Sequence, residues 1–516
     1  MLLSTETFLI IGSIVIFVGI LLGKVGARFG VPALLLFLLT GMLFGVDGIG
    51  IHFSNMRGVQ SIGIVALSII LFSGGMGTKL SQIRPVIGEG IALSTIGVLL
   101  TTLFTGLLIF CVTHYLFASL TFSLPIAILL AATMSSTDSA SVFAILRSQR
   151  VHLKENLKPL LELESGSNDP MAYMITVALI GFVMGGDTSL WGVAGSLVLQ
   201  FLFGIIGGFF FGWLCVKMLN NLNIQNEVLY PIALLCLVMI TYVSTWYIGG
   251  NGYLAVYIAG IYLGNSKITA RRSVYGFFDG ITWLVQIVLF IMLGLLVNPS
   301  DMLPVLLPTL IIAVLMMFVA RPLACFVTLL PFRQLSFKAR LFTSWVGLRG
   351  AAPILFATYP VLAEVPQSNH IFTIVFVITL VSLICQGMTI TPVARALHLA
   401  EPAPPEGYFM GVEIPEETNT SMEERIVVEE MLSEGHLLKD LALNPDELVI
   451  LVRRNDRYIV PKGGLHLNPN DILLIVSERN DSEQKYLEIP NADLFTRLRK
   501  TLGQVTSHKS KKRSDS

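Results

Sequence analysis

Thirteen apolar segments, each near the length that crosses a bilayer, leave this chain few folds to choose from. They centre on residues 7–24, 31–46, 58–76, 87–115, 123–146, 156–185, 192–220, 226–248, 252–265, 272–297, 302–330, 336–363 and 369–397. A helix needs about 20 such residues to span roughly 30 Å of hydrocarbon, and fewer where it is broken. Composition agrees: 54% of the 516 residues are hydrophobic and only 13% charged, where a soluble chain carries about 25% charged residues. The fold expected is an all-α polytopic membrane protein with about 13 transmembrane helices, followed by a small α+β domain. Lys+Arg and Asp+Glu number 34 each, and zero net charge removes the electrostatic case for binding nucleic acid. Cys111, Cys215, Cys236, Cys325 and Cys385 all sit in apolar runs without C-x-x-C spacing. They read as small packing residues, neither a disulfide scaffold nor a zinc site.

Loop charge gives the orientation, because cytoplasmic loops collect Lys and Arg. Alternate loops carry Lys24 and Arg28; Lys79 and Arg84; Arg147, Arg150, Lys154 and Lys158; Lys217; Lys267, Arg271 and Arg272; and Arg333, Lys338 and Arg340, whereas the intervening loops offer only Arg57. The N-terminus is therefore expected outside and the C-terminal part in the cytoplasm. The first segment lacks a basic stretch before Phe8 and an A-x-A-like cleavage site, so it reads as a retained span rather than a signal peptide.

Beyond the transmembrane part, 1–397, the Pro-rich stretch from Glu401 to Gly407 lies in a semi-rigid linker, 398–410. Segments 425–430, 447–453, 457–460 and 471–477 then read as short strands, with a tight turn at Arg454-Asn455-Asp456 and a short helix over 434–443. Together they make a soluble α+β module, 411–482. The Lys- and Ser-rich remainder, 483–516, reads as a basic, flexible tail.

Two spans break their own pattern. The fifth contains Ser135-Ser136-Thr137-Asp138-Ser139 and the twelfth Gly347-Leu348-Arg349-Gly350-Ala351-Ala352-Pro353, each near the centre. Small polar residues compete for backbone hydrogen bonds, so unwound crossings are expected rather than continuous helices. If the seventh span is a connector, spans 1–6 and 8–13 form two six-helix halves, and each broken helix is the fifth of its half. That is the pattern of an inverted-repeat transporter whose broken helices meet at the midplane. Asp138 and Arg349 have the sign and position to compensate the opposed half-helix ends; a structural ion pair is the plainer reading of the two.

The sixth span carries Glu164-Ser165-Gly166-Ser167-Asn168-Asp169-Pro170. Helical spacing puts Ser165 and Asp169 on one face and Glu164 and Asn168 on the next, and Pro170 removes the backbone bond to the Gly166 carbonyl. Carboxylate, hydroxyl and carbonyl oxygens are hard ligands that suit an alkali cation and not a soft transition metal. A membrane carboxylate holds a proton or a cation but not both, because desolvation penalises the bare anion. Competition at one group is the simplest chemistry for exchange. A satisfied structural acid is the alternative for Asp169, and the more natural role for Glu164, with Arg321 of the eleventh span as its partner.

With these residues on the page, segment 1–397 resembles the NhaP-type branch of the monovalent cation:proton antiporters, which includes the bacterial potassium/proton antiporters called cell volume regulation protein A. The match rests on Thr137-Asp138, on E-S-x-x-N-D at 164–169 and on G-L-R-G-A at 347–351. The resemblance implies a homodimer in a bacterial inner membrane, whose mobile core carries the ion past a dimerisation domain by an elevator movement. It implies Asp169 as transport carboxylate, with Asp138, Thr137 and Ser165 helping to ligate the ion, and Asn168 marking the electroneutral branch, one K⁺ or Na⁺ for one H⁺. It implies Glu164 with Arg321 as a structural ion pair and Arg349 as the stabiliser of the crossing. No cofactor is required. Many relatives read Phe-Glu-Gly in the third span where Phe72-Ser73-Gly74 stands here, so their ion-access and pH details do not carry over.

The soluble module resembles the C-terminal regulatory domain of potassium-uptake and potassium-efflux systems, through residues 452–461 and the strand start at Asn470-Asp471. Such modules are usually dimeric and some bind nucleotides; with no Gly-rich phosphate fingerprint here, a regulatory nucleotide and a ligand-free stabiliser of the dimer stand as equal readings. A ligand-gated cation channel is the rival from another class, but no filter sequence of the T-V-G-Y-G kind appears. An enzyme is not expected, since neither H-E-x-x-H nor G-x-S-x-G is present.

Overall fold

The computed structural model describes residues 5–28, 31–117, 120–149, 151–185, 190–402, 420–432, 435–441, 443–444, 446–454, 457–469 and 471–478. The tail beyond 478, most of the linker and the turn at 455–456 lie outside these residues. The chain divides into two units, Met1–Ala403 and Pro404–Ser516.

In the first unit each apolar segment holds one helical run, except the fifth and twelfth, which hold two. These are α1 (Thr5–Arg28), α2 (Ala33–Phe44), α3 (Met56–Gly77), α4 (Leu80–Tyr115), α5 (Leu124–Thr133), α6 (Ser139–Ser148), α7 (Leu157–Val183), α8 (Leu190–Asn221), α9 (Leu229–Tyr247), α10 (Gly252–Gly264), α11 (Arg271–Leu295), α12 (Pro299–Leu329), α13 (Phe337–Trp345), α14 (Ala351–Leu362) and α15 (Ser368–Ala396). Among the described residues, seven of them are long and apolar enough to cross a membrane, by length and composition. Polar residues mark several helix starts: Asn55 Oδ1 accepts from Gly58 N at 2.9 Å and Ser336 Oγ from Ala339 N at 3.1 Å, supplying partners for otherwise orphaned N–H groups. The apolar residues face two ways. Phe37, Leu38, Leu129, Phe290 and Phe376 are buried in the core, while Val198, Leu202, Ile206, Phe209 and Phe210 of α8 are exposed, as lipid-facing side chains are. Close approach of helices depends on small residues: a Cβ on Gly260 of α10 would sit 3.2 Å from Gly75 Cα of α3. Of the five cysteines only Cys215 and Cys325 are buried, so a packing role does not hold for Cys111, Cys236 and Cys385, which lie on outward helix faces.

α4 and α12 share an unusual internal order. In α4 a helical turn, Leu80–Ile83, leads through a 3₁₀ turn, Arg84–Val86, into α-helix, then a π-helical turn at Leu93–Gly97, then α-helix again. In α12 the order repeats, with Pro299–Met302, a 3₁₀ turn at Leu303–Val305 and a π-helical turn at Met316–Ala320. Pro85 and Pro304 occupy the same place in the two 3₁₀ turns, where a missing N–H forbids the regular α bond. Pro322 likewise deprives the Phe318 carbonyl of its i+4 donor, and the π-helical turn ends just before it.

Two short strands close the first unit. β1 (Val151–Leu153) pairs antiparallel with β2 (Ala400–Pro402), and Lys154 N donates to Leu399 O at 3.0 Å. The start of the expected linker is thus strand, tied to the loop between α6 and α7.

In the second unit β3 (Thr420–Ile426), β4 (Glu447–Arg454), β5 (Arg457–Ile459) and β6 (Ile472–Glu478) form an antiparallel sheet in the order β3-β6-β4-β5. Val427, Val449, Val452, Leu467, Leu473 and Ile475 are its core. The first strand lies earlier than 425–430, because the mostly polar Thr420–Glu424 pair along β6 while Glu429–Leu432 turn into 3₁₀. The helix expected over 434–443 is not formed among the described residues. Leu438 N and Lys439 N donate instead to Leu465 O and Gly463 O, at 2.9 and 3.1 Å, leaving one 3₁₀ turn, Leu438–Asp440.

Candidate functional site

The fifth and twelfth segments both lose helical structure where small polar residues gather. α5 ends at Thr133 and α6 begins at Ser139, while α13 ends at Trp345 and α14 begins at Ala351. The two irregular stretches are joined through their backbones. Asp138 N donates to Leu348 O at 2.8 Å, and the Arg349 guanidinium donates through Nη1 to Ser136 O. Arg349 is fully buried, and its own N–H donates to Ser382 Oγ at 3.0 Å. A cation at the carbonyl-rich end of α5 and an anion at the start of α6 follow the sign of the helix dipoles. Asp138 supplies that anion as the N-cap of α6, accepting from Ser141 N at 3.2 Å and from Ser141 Oγ.

α7 passes beside this crossing and is continuous through Pro170. Ser165 Oγ donates to Thr137 O at 2.8 Å and accepts from Ser139 N at 3.0 Å. Asn168 Nδ2 donates to Thr137 Oγ1 at 2.6 Å, while Asn168 Oδ1 is buried with no hydrogen-bond partner among the described residues. Thr137, Asp138, Ser165 and Asn168 are thus tied into one cluster. Glu164 points the other way, into an ion pair with Arg321 of α12, both groups being buried. Arg321 lies under the crossing: a Cβ on Gly347 would be 3.1 Å from its Nε.

Asp169 is half-buried and lines a cavity of about 40 Å³ together with Ser136, Thr137, Asp138, Gly350 and Pro353 of the crossing, and with Leu67, Ile70, Gln286 and Phe290 of α3 and α11. A water needs about 10–15 Å³ measured in this way, so the space suits a small cation with one or two of its waters. Its polar wall offers carboxylate, hydroxyl and amide oxygens, and the unpartnered Asn168 Oδ1 lies one residue away. The donor set is hard throughout.

Several supports of this site lie outside the charged motifs. Ser382 Oγ donates to Gln386 Oε1 at 2.6 Å and Gln386 Nε2 to Trp345 O at 2.8 Å, so a buried pair on α15 holds both Arg349 and the end of α13. Asn251 Nδ2 donates to Pro170 O at 2.8 Å while its Oδ1 caps α10 by accepting from Leu254 N at 3.0 Å. The i, i+4 spacing of Ser382 and Gln386 in an otherwise apolar stretch is the signal that could have found the first.

The profile of the transmembrane sodium/hydrogen exchanger family matches residues 13–396. Among curated proteins, the K(+)/H(+) antiporter NhaP2 of Shewanella baltica is 36% identical over 486 residues, covering 93% of this chain and 82% of that protein. The K(+)/H(+) antiporter NhaP of Alkalimonas amylolytica is 41% identical over 400 residues, covering 77% and 67%. Among solved structures, the sodium proton antiporter MjNhaP1 of Methanocaldococcus jannaschii shares the fold, with a TM-score of 0.65 at 24% identity over 76% of this chain and 99% of that one. This multi-pass membrane protein belongs to the sodium/hydrogen exchanger family, in its NhaP-type branch.

Proposed function

We propose that the chain exchanges a monovalent cation for a proton across a bacterial inner membrane, with Asp169 as the group that holds one or the other. The observation that carries the reading is the half-buried Asp169 carboxylate on a cavity that it shares with Ser136, Thr137 and Asp138, at the crossing of two broken helices. Asp138, Thr137, Ser165 and Asn168 shape or complete the ion's shell, Glu164 with Arg321 braces α7 against α12, and Arg349 holds the crossing. One carboxylate trading H⁺ for M⁺ moves no net charge, which makes the exchange electroneutral.

K⁺ is the preferred reading of the cation, supported by relatives named K(+)/H(+) antiporters; Na⁺ is the alternative, and the structural neighbour is named a sodium proton antiporter. Thirteen crossings, the N-terminus outside and the C-terminal unit in the cytoplasm complete the arrangement. The shared 3₁₀ and π turns of α4 and α12 support two inverted repeats. A homodimer with an elevator-like core and regulation through the C-terminal unit are parts of the same proposal.

The test is Asp169→Asn in proteoliposomes carrying a pH dye, with K⁺, Na⁺, Li⁺ and Rb⁺ added in turn. Exchange falls by about two orders of magnitude or more for every cation while folded protein is retained, as expected for the functional carboxylate of a membrane site. Parental rates in this variant would sink the mechanism.

A further inference from the structure

Asn251 carries no charge and belongs to none of the motifs, yet it is fully buried and joins three helices. Its N–H donates to Gln200 O of α8 at 3.0 Å, and its C=O accepts from Ala255 N at 3.1 Å. Its Nδ2 donates to Pro170 O of α7 at 2.8 Å, and its Oδ1 accepts from Leu254 N at the start of α10 at 3.0 Å. A buried polar residue is costly unless its groups are bonded, and here they are bonded in three directions. Two glycines make room for it. A Cβ on Gly250 would lie 2.8 Å from Phe203 Cβ, and one on Gly252 would lie 2.7 Å from the Tyr242 carbonyl oxygen. The turn therefore fits between α8 and α9 only with bare backbone on either side of Asn251.

The residue that Asn251 holds is the one directly after Asp169. Pro170 has no N–H to give the Gly166 carbonyl its regular donor, so the turn of α7 that carries Asp169 lacks one of the bonds that fix a helix. α10 lies along this turn and touches both of its ends. At Pro170 it supplies the Asn251 side chain. At Gly166 it supplies the ring of Tyr257, so close that a Cβ on Gly166 would be 2.3 Å from Tyr257 Cε2. The turn weakened by proline is thus splinted from outside, by a helix start that is itself bonded to α8.

We propose that Asn251 is a positioning residue for the exchange, and that its bond to the Pro170 carbonyl sets the place of Asp169 beside the crossing. The proposal rests on Asp169 being the transport carboxylate and adds what holds that carboxylate in register with Ser136, Thr137 and Asp138 across the cavity. The charged motifs supply the oxygens, and Asn251 governs the spacing between the two walls that carry them. Loss of the Pro170 bond leaves the donor set intact but loosens the turn that presents Asp169, so the cation is held less tightly.

The experiment compares Asn251→Ser with Asn251→Ala in the full-length protein, reconstituted with a pH dye and titrated with K⁺. Serine caps a helix about as well as asparagine, but its shorter side chain does not reach the Pro170 carbonyl from the cap position. Asn251→Ser therefore keeps the cap and loses the positioning bond, whereas Asn251→Ala loses both. The K⁺ concentration for half-maximal exchange is expected to rise about fivefold in both variants, the factor that one neutral hydrogen bond carries. The maximal rate per folded transporter stays within about twofold of the parent, and the thermal unfolding midpoint falls further in Asn251→Ala than in Asn251→Ser. A residue that only caps α10 would leave K⁺ half-saturation unchanged in Asn251→Ser, and that result overturns the proposal. Asp169→Asn is run in the same vesicle preparation. If it exchanges at the parental rate, the site reading has failed; if it is inactive while Asn251→Ser keeps parental half-saturation, the positioning role alone has failed.

Discussion

Arg321 and Glu164 show how much one residue matters where water cannot reach. Arg321 Nε and Nη1 have no hydrogen-bond partner among the described residues, and the guanidinium leans on the Glu164 carboxylate. Removing one member of a buried pair leaves the other unpaired at a cost of about 3–5 kcal/mol, whereas replacing both is often near neutral. Arg321→Met is therefore expected to lower the thermal unfolding midpoint and the folded yield steeply, and adding Glu164→Gln to recover more than half of the loss. Scanning fluorimetry on the single and double variants checks this, and strictly additive damage would count against the pair. Exchange per folded molecule separates this bracing role from the transport role proposed for Asp169.

At the scale of elements, the crossing depends on α15 as much as on the two broken helices. Ser382→Ala leaves the buried Arg349 N–H without its acceptor, a loss of about 1–3 kcal/mol. Thr379→Val is the control, because Thr379 Oγ1 donates only to the Val375 carbonyl of its own helix. Unfolding midpoints of the two variants should separate clearly, with Thr379→Val close to the parent. The same contrast explains what could be read from the sequence. Asp138, Glu164, Asp169, Arg321 and Arg349 stand out because a charge in an apolar run is costly in lipid and must be paired or used. Ser382 by itself does not, since Ser68, Thr101, Thr176, Thr241 and Thr309 all bond the carbonyl four residues back, and only its i, i+4 spacing to Gln386 sets a hydroxyl that braces the site apart from one bonded within its own helix. The helical segments were legible through their length. The π-helical turns were not, because a change of hydrogen-bond register leaves hydropathy unaltered. In the second unit the apolar pattern starts the first strand five residues late, at 425 instead of 420, because Thr420, Ser421, Glu423 and Glu424 give no apolar alternation.

The whole molecule combines a membrane unit with few charges and a second unit held partly by them. Burial alone pushes the Asp471 carboxyl up, but the Arg454 side-chain bonds at 2.8 and 2.6 Å and the Asn468 N–H at 2.8 Å outweigh it and hold the group below its ordinary value. A carboxyl lowered on folding contributes stability that is complete above its unfolded-state value, about 3.9, and lost as pH falls through the lower folded-state value. In the full-length protein, Asp471→Asn is therefore expected to reduce hydrogen-exchange protection of the β6 amides at neutral pH. The difference from the parent should close as pH falls below that range; a gap unchanged across the pH series would show that the pair contributes nothing through charge. The β1–β2 pairing bears on the molecule in a different, mechanical sense. The chain leaving α15 runs as β2 along β1, with Lys154 Nζ 3.3 Å from a Glu401 carboxylate oxygen, before it continues beyond Pro402. Any tension in that onward chain loads the loop between α6 and α7 before it reaches α15. That loop joins the helix capped by Asp138 to the helix bearing Asp169, so the exit strand is a lever arm whose point of application lies between the two carboxylates.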